Sequence, residues 1–236
     1  MALRDDLAYD VSAVLSKEWN VRRGQVVPFT SDIALGGGAV RLRATMLYAD
    51  LADSTELAMQ YDWRVSARVF KCFLTCCSRL IRARGGEIRS FDGDRVMGIF
   101  IGHFKDTMAA QCALQINYAF TEVIKPQLEA KYPRLITGPY RLAHGVGVDT
   151  GEVMAVRGGV VNNNDLVWIG RAPNVAAKLS ALRESPYHSF ITPAVYRAMD
   201  DNVRYGPGGE LLWSKKSWGE VEGMKEIYGS TWWMLP

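Results

Sequence analysis

The sequence lacks most of the features that would place it in a specialised class of protein. None of its apolar runs approaches the roughly 18 residues that a membrane span requires, and its first nine residues lack the architecture of a signal peptide. The formal net charge of +3 is too small to indicate a surface for nucleic acid or membrane. We therefore expect a cytoplasmic protein with neither nucleic acid nor membrane among its partners.

Zinc ligands and a phosphate-binding loop are also missing. The chain has four cysteines and three histidines, and no histidine or further cysteine is spaced to complete a zinc site around Cys72 and Cys76. The glycines at 36–38 are not followed by a helix start with Lys-Ser/Thr, which excludes a P-loop. The chain length fits one large domain with an extension. We divide it into an N-terminal helix and linker at 1–40 and a main domain at 41–236.

Two acidic turns stand out in the main domain. The apolar run at 44–49 predicts a strand that ends at Asp50, and residues 53–55 then offer N-cap side chains for a helix. A carboxylate beside a helix N-terminus can hold a cation against phosphates. A capped strand-to-helix turn is the simpler interpretation of this stretch alone. The second acidic turn at 91–95 (FDGDR), between two strand-like runs, favours the cation.

The order of the predicted elements indicates an α+β fold. From the N-terminus the patterns predict, in order, a helix in 3–19, a linker at 21–40, a strand at 41–49, a helix at 57–84 with a joint near Tyr61, strands at 87–91 and 95–101 around an Asp92-Gly93 turn, a helix at 107–130, a hairpin of 141–149 with 152–156, a strand at 166–169, a helix at 173–182, a strand at 189–191, a helix near Tyr196, and strand-like pieces from 211 to 233. The central order of strand, helix, two strands, helix and strand is the ferredoxin-like βαββαβ arrangement with appended strands. That arrangement places Asp50 and Asp94 together at one end of the sheet, where two carboxylates repel unless a cation lies between them.

Four separated motifs resemble one family. Residues 49–55 (ADLADST) and 93–97 (GDRVM) are similar to the two metal motifs of class III nucleotide cyclases. Residues 144–153 (HGVGVDTGEV) resemble the strand–turn–strand that follows in those enzymes, and 170–179 (GRAPNVAAKL) resemble the helix with the transition-state residues. Each motif alone is weak, but together they cover 43–182 in the right order.

The resemblance implies a homodimer with two active sites at its interface. Asp50, the Leu51 backbone and Asp94 would hold two divalent cations, Mn²⁺ or Mg²⁺, that activate the ribose 3′-hydroxyl and gather the triphosphate. Backbone N–H groups of Asp53, Ser54 and Thr55 would cradle phosphate.

The other protomer would bring Asn174 to orient the ribose and Lys178 to neutralise charge on the α-phosphate. These two residues are four apart and share a helix face. Without a catalytic role, Asn174 would be a helix cap and Lys178 a solvated lysine on the helix surface. The family usually has arginine where this chain has Lys178, and lysine supplies a compact charge without the bidentate fork of arginine.

The positions that match the family's base-reading residues are Ser90 and Val167. Neither the lysine and acid that read adenine nor the acid that reads guanine is present, and a site that leaves a polar base edge unpaired rejects that base. This pattern resembles the pyrimidine cyclases of bacterial anti-phage (Pycsar) systems, which make cyclic UMP or cyclic CMP for a separate effector. Ser90 with a nearby arginine, Arg89 or Arg95, would suit uracil, so UTP is the favoured substrate. Both arginines are equally compatible with ordinary strand-edge charges.

The same residues are compatible with other functions. Within the class they are a cytidylate cyclase or an unusual adenylate cyclase. A catalytically inactive, nucleotide-binding regulator would also show the substitutions at Ser90, Val167 and Lys178, although decay would have no need to keep both aspartates. A ferredoxin-like nucleic-acid binder would want a basic face, which the charge balance does not provide.

Overall fold

The computed structural model describes residues 3–221 and 223–236. The helices are α1 (Leu3–Ser16), α2 (Ser54–Gln60), α3 (Trp63–Ala83), α4 (Lys105–Tyr118), α5 (Lys125–Lys131), α6 (Arg134–Thr137), α7 (Arg171–Ser180), α8 (Pro193–Ala198) and α9 (Asp201–Arg204). The strands are β1 (Asn20–Arg23), β2 (Gly38–Leu51), β3 (Glu87–Asp92), β4 (Arg95–Phe100), β5 (His144–Val160), β6 (Asn163–Ile169), β7 (Ser189–Ile191), β8 (Ser214–Val221) and β9 (Met224–Ser230).

The strands described form one nine-stranded sheet in the order β3-β4-β2-β5-β7-β9-β8, with β1 beside β2 and β6 beside β5. Strand β2 lies at the centre, antiparallel to β4 on one side and to β5 on the other. The elements from β2 to β5 follow the predicted βαββαβ order, and their strand order β3-β4-β2-β5 is the ferredoxin-like one. The predicted α+β fold is therefore confirmed.

Alternation along β2 gives the sheet two different faces. Leu47, Ala49 and Leu51 belong to the larger core cluster, which includes residues of α3 and α4. The intervening side chains, such as Ala44 and Met46, pack with residues of α7 on the opposite face. Successive side chains of a strand point to opposite faces, so both of these faces are buried along the middle of β2.

Helix α3 shows why the long predicted helix breaks in two. Its buried residues recur every three or four positions: Ser66, Val69, Phe73, Cys77 and Ile81. The Asp62 side chain accepts a hydrogen bond from the Arg64 backbone N–H (2.8 Å) and so caps this helix at its start. The predicted joint near Tyr61 therefore lies between α2 and α3.

The predicted hairpin of 141–149 with 152–156 is wrong. Strand β5 runs without a turn from His144 to Val160, and Thr150 and Gly151 pair with Thr45 and Ala44 of β2. Residues 149–152 (DTGE) have the composition of a turn. They remain in a strand because the 14-residue strand β2 pairs with β5 along nearly its whole length. The chain reverses instead before β6, where Asn162 has a φ of 69°.

The N-terminal 40 residues are only partly a linker. Strand β1 pairs with the start of β2, and Val27 and Ile33 are buried in the core on the α7 face. Helix α1 buries none of its residues. The predicted helix at 107–130 is one run of α4, a π-helical turn and α5. No helix in the described parts of the chain is long and apolar enough to cross a membrane.

Candidate active site

Asp50 and Asp94 lie at neighbouring strand ends, as the sequence predicts. Ala49 of β2 pairs with Val96 of β4, so Asp50, the penultimate residue of β2, lies at the edge of the sheet where the β3–β4 turn is. Asp92 and Arg95 pair across that turn, which leaves Gly93 and Asp94 as its two central residues. The predicted turn at Asp92-Gly93 is thus displaced by one residue. Gly93 has a φ of 62°, a conformation that favours glycine.

Electrostatics at this point favour a cation. Burial raises the pKa of Asp50 above its ordinary value, and the neighbouring Asp94 carboxylate raises the same pKa further. The Oδ2 atom of Asp94 is buried and has no hydrogen-bond partner. We call Asp50, Leu51 and Asp94 the acidic corner. A bound cation would satisfy the unpaired oxygen and relieve the repulsion between the two carboxylates.

The acidic corner fits a metal ion that takes most of its ligands from water and from substrate phosphates. Across the described ranges, no group of three or more His, Cys, Asp or Glu side chains is arranged to hold a metal. The acidic corner offers two carboxylates and the Leu51 carbonyl. Mg²⁺ in phosphoryl-transfer sites is commonly held by one or two carboxylates together with water and substrate phosphates. The residues present therefore fit such a cation.

Arg183 is a site residue that sequence reasoning missed. Its guanidinium donates to Asp50 Oδ2 (3.1 Å) and to the Leu51 carbonyl (3.3 Å). The same group donates to the Ser180 carbonyl (2.7 Å) at the end of α7. Its distance along the chain from Asp50 gives no signal of this contact. Only the close packing of α7 on the sheet brings the two residues together.

Two glycines of β5 allow that packing. A Cβ atom at Gly147 would lie 2.1 Å from the Ala176 carbonyl oxygen, and one at Gly145 would lie 2.3 Å from the Ser180 carbonyl oxygen. Real Cβ atoms do not make contacts this short, so both positions need glycine for α7 to lie on the strand. Gly145 pairs with Asp50, which places the C-terminal end of α7 beside the acidic corner.

Asn174 and Lys178 lie on the outward face of α7. Both side chains are exposed, whereas Ala172, Val175, Ala176 and Leu179 of the same helix are buried. The predicted shared helix face is therefore present, but it points away from the sheet. Within one chain, the described contacts of Asp50 do not include either residue.

The loop after Leu51 leads into helix α2. Asp53 is the N-cap residue and has left-handed φ and ψ angles of 51° and 37°, but its side chain makes no cap hydrogen bond. Tyr140 lies beneath this loop, buried, and donates to the Ala52 carbonyl (2.9 Å). The backbone of Ser54 and Thr55 thus follows the acidic corner directly, as the phosphate-binding prediction requires.

The predicted base-reading residues lie apart in one chain. Ser90 pairs with Met97, which pairs with Tyr48, so these three side chains share the α7 face of the sheet. Val167 is half exposed on β6, which joins the other side of β5. A single chain therefore does not bring Ser90 and Val167 together.

The two candidate arginines have other partners. Arg95 donates to Asp92 (2.7 Å) across the β3–β4 turn and lies 5.5 Å from the Tyr48 ring centroid. Arg89 lies at a bulge of β3, 5.1 Å from the ring of Phe29 in the N-terminal segment. The contacts of Arg89 correspond to a structural role, and those of Arg95 keep it beside Tyr48.

A large cavity lies elsewhere in the fold. It has a volume of about 830 Å³ and is lined mainly by the C-terminal segment and the turn after α9, including Tyr205, Leu212, Trp232, Trp233 and Leu235. None of the predicted site residues lines it.

Comparison with known proteins gives full-length relatives. The chain is 44% identical to a uridylate cyclase from Rhodovulum sp. (strain MB263), over all of this chain and 99% of that protein. It is 40% identical to a uridylate cyclase from Burkholderia cepacia, over 98% of both chains. No protein-family model matches the sequence.

Solved structures share the fold. An adenylyl cyclase from P. aeruginosa superposes with a TM-score of 0.69 at 21% identity, covering 81% of this chain and 95% of that one. A guanylyl cyclase superposes with a TM-score of 0.67 at 20% identity, covering 83% and 95%.

Proposed function

Because this chain belongs to the uridylate cyclase family and has the class III nucleotide cyclase fold, we propose that it converts UTP to 3′,5′-cyclic UMP and pyrophosphate. The observation that carries the proposal is the identity of 36–44% to three uridylate cyclases over almost the whole chain. The acidic corner independently supports the phosphoryl-transfer part of the proposal, since its two carboxylates lie close enough to share metal ions.

In the proposed reaction the ribose 3′-hydroxyl loses its proton to solvent, its oxygen forms a bond to the α-phosphorus, and the bond between the α-phosphorus and the bridging oxygen breaks so that pyrophosphate leaves. Asp50, Asp94 and the Leu51 carbonyl would hold two divalent cations, Mg²⁺ or Mn²⁺. When bound, these supply Lewis acidity to the 3′-hydroxyl and neutralise the triphosphate. The backbone N–H groups of residues 53–55 would hold phosphate oxygens at the start of α2.

A second copy of the chain would complete each site. Its Asn174 would orient the ribose, and its Lys178 would neutralise charge that develops on the α-phosphate. The outward direction of both side chains supports this arrangement, since they lie on the exposed face of α7. A homodimer with twofold symmetry would form two such sites from the same two surfaces.

Uracil would be read by Ser90, with Arg95 beside it and Val167 from the second copy. Ser90 offers one hydroxyl donor and acceptor, which can pair with a uracil edge. The chain lacks a lysine or carboxylate at either position, so a purine edge would lose water without gaining partners. These assignments follow from the motif match and from the position of Ser90 on the α7 face.

The direct test is purified protein with each of the four nucleoside triphosphates, with Mg²⁺ or Mn²⁺, and products resolved by mass. We expect cyclic UMP to dominate. A main product of cyclic CMP or cyclic AMP would replace the substrate assignment and keep the cyclase. No cyclic product with any nucleotide would favour the inactive regulator.

We also propose, from the resemblance to anti-phage systems, that cyclic UMP activates a separate effector protein. Cells that express the chain should then accumulate cyclic UMP after phage infection, and cells with Asp50→Ala should not. Equal cyclic UMP in infected and uninfected cells would remove the defence role while leaving the enzymatic one.

A further inference from the structure

Arg183 contacts two functional elements at once. One terminal nitrogen donates to the carbonyls of Ser180 (2.7 Å) and Leu182 (3.0 Å), at the C-terminal end of α7. The other donates to Asp50 Oδ2 (3.1 Å) and the Leu51 carbonyl (3.3 Å). A single guanidinium therefore joins the helix that carries Asn174 and Lys178 to the acidic corner.

The oxygens that Arg183 holds in the acidic corner are those assigned to the catalytic cations. A guanidinium presents N–H donors and a positive charge, so it satisfies oxygen ligands much as a metal ion does. Its charge also opposes the increase in the pKa of Asp50 that burial and Asp94 cause. An oxygen lone pair directed at Arg183 is less available to a cation, so the two compete.

The contacts exceed what a helix cap requires. The nitrogen that bonds Ser180 and Leu182 already satisfies carbonyls at the end of α7, and a cap needs no contact with Asp50. The Arg183 side chain retains 31% of its exposure, against 17% for Asp50. Because it lies at the surface, Arg183 can leave Asp50 without leaving a charge buried and unpaired.

We propose that Arg183 is a positioning residue that competes with the cation for Asp50 and Leu51 and links the acidic corner to α7. This inference rests on the proposed function. Binding of the cation releases the guanidinium from Asp50 and loosens the end of α7. In the proposed dimer α7 serves the other site, so metal binding at one site changes the helix that completes its neighbour.

The first experiment measures metal binding without nucleotide. EDTA-treated wild type and Arg183→Gln are titrated with Mn²⁺, and free Mn²⁺ is followed by electron paramagnetic resonance. We expect Arg183→Gln to bind Mn²⁺ roughly fivefold more tightly, because a partly exposed ion pair of this kind is worth about 1 kcal/mol. Arg183→Lys, which keeps the charge without the fork, should lie between them.

Matched controls separate this effect from general changes. Arg197→Gln removes an exposed arginine of α8 and should bind Mn²⁺ as the wild type does. Asp50→Ala should lose the binding. Equal or weaker Mn²⁺ binding by Arg183→Gln would overturn the competition. So would an absence of binding in both the wild type and Arg183→Gln.

The second experiment tests the link to α7. Hydrogen exchange at the amides of residues 178–184 should increase when Mn²⁺ is added to the wild type. In Arg183→Gln these amides should exchange rapidly from the start and respond little to Mn²⁺. An α7 end that does not respond in the wild type would overturn the link. Formation of cyclic UMP by the wild type tests the proposed function separately, since neither Mn²⁺ experiment contains nucleotide.

Discussion

The acidic corner and the outward face of α7 are built in opposite ways. Asp50 is half-buried, hydrogen-bonded to Arg183 and close to Asp94, all within one chain. Asn174 and Lys178 are exposed on a helix whose other face is packed against the sheet. The fold thus partly buries the acidic corner, where desolvation favours cation binding, and leaves the outward face of α7 exposed.

This difference has a physical basis. Carboxylates bind a cation more strongly where water is partly excluded, because the local dielectric is lower. In the proposed dimer, Asn174 and Lys178 act on a nucleotide bound to the acidic corner of the other copy, which requires both side chains to be accessible in the single chain. Variants in each half therefore distinguish a buried metal site from an accessible surface that acts on another chain.

Asp50→Ala or Asp94→Ala should reduce cyclase activity by about a thousandfold or more, because each removes a proposed ligand of the metal site. Activity is measured as cyclic UMP formed at saturating Mn²⁺. Without metal, Asp50→Ala should not melt below the wild type, because burial and the Asp94 carboxylate raise the pKa of Asp50 and so disfavour its ionised form in the fold. Asp10→Ala, on exposed α1, is the matched control. Near-normal turnover in either site variant would remove its assigned role.

The base assignment combines Ser90 of one copy with Val167 of the other. Wild type should prefer UTP to ATP by about a hundredfold, because two unpaired groups on a purine edge cost about 1–3 kcal/mol each. Ser90→Lys with Val167→Asp supplies a donor and an acceptor for adenine and should raise ATP turnover relative to UTP. Val161→Asp, at an exposed valine in the β5–β6 turn, controls for added charge. An unchanged ratio of ATP to UTP turnover would show that these side chains do not read the base.

Mixing two inactive variants tests whether the halves come from different chains. Asp94→Ala and Asn174→Ala should each be inactive. After subunit exchange, half of the dimers combine the two variants, and each has one intact site, so activity should recover to about a quarter of wild type. Exchange is confirmed with differently tagged protomers. If confirmed exchange restores no activity, each site is formed within a single chain.

A buried histidine next to the acidic corner should make the stability of the fold sensitive to acid. His144 pairs with Leu51 and lies 4.3 Å from the Phe120 ring, and burial lowers its pKa well below the ordinary value of 6.5. Its unfolded state binds the proton more readily, so stability should fall as pH drops below about 6.5, by up to about 1.4 kcal/mol per pH unit.

His144→Phe should reduce this loss, measured as the difference in urea unfolding between pH 7.5 and 5.5. His188, whose pKa burial also lowers, should leave a smaller dependence. Exposed His103→Gln is the control and should behave as the wild type does. A pH dependence that persists unchanged in His144→Phe would exclude this histidine as its main source.

The two halves also differ in how far the sequence could predict them. The apolar run that ends at Asp50 and the four-residue spacing of Asn174 and Lys178 are local patterns. They depend only on the periods of strand and helix, and the structure reproduces both. The hairpin predicted from local patterns was wrong at residues 150–151, because these residues have turn composition but belong to the continuous strand β5.

The βαββαβ order, the resemblance to the family and the carboxylates at two strand ends could all be predicted from short stretches of residues, because strand period, helix period and motifs are local features. Three features could be seen only in the folded chain: the buried unpaired oxygen of Asp94, the packing of Arg89 against Phe29, and the hydrogen bond from Arg183 to Asp50. These contacts depend on strand register and on how closely α7 packs on Gly145 and Gly147. They join residues far apart in the chain, where no local period carries information.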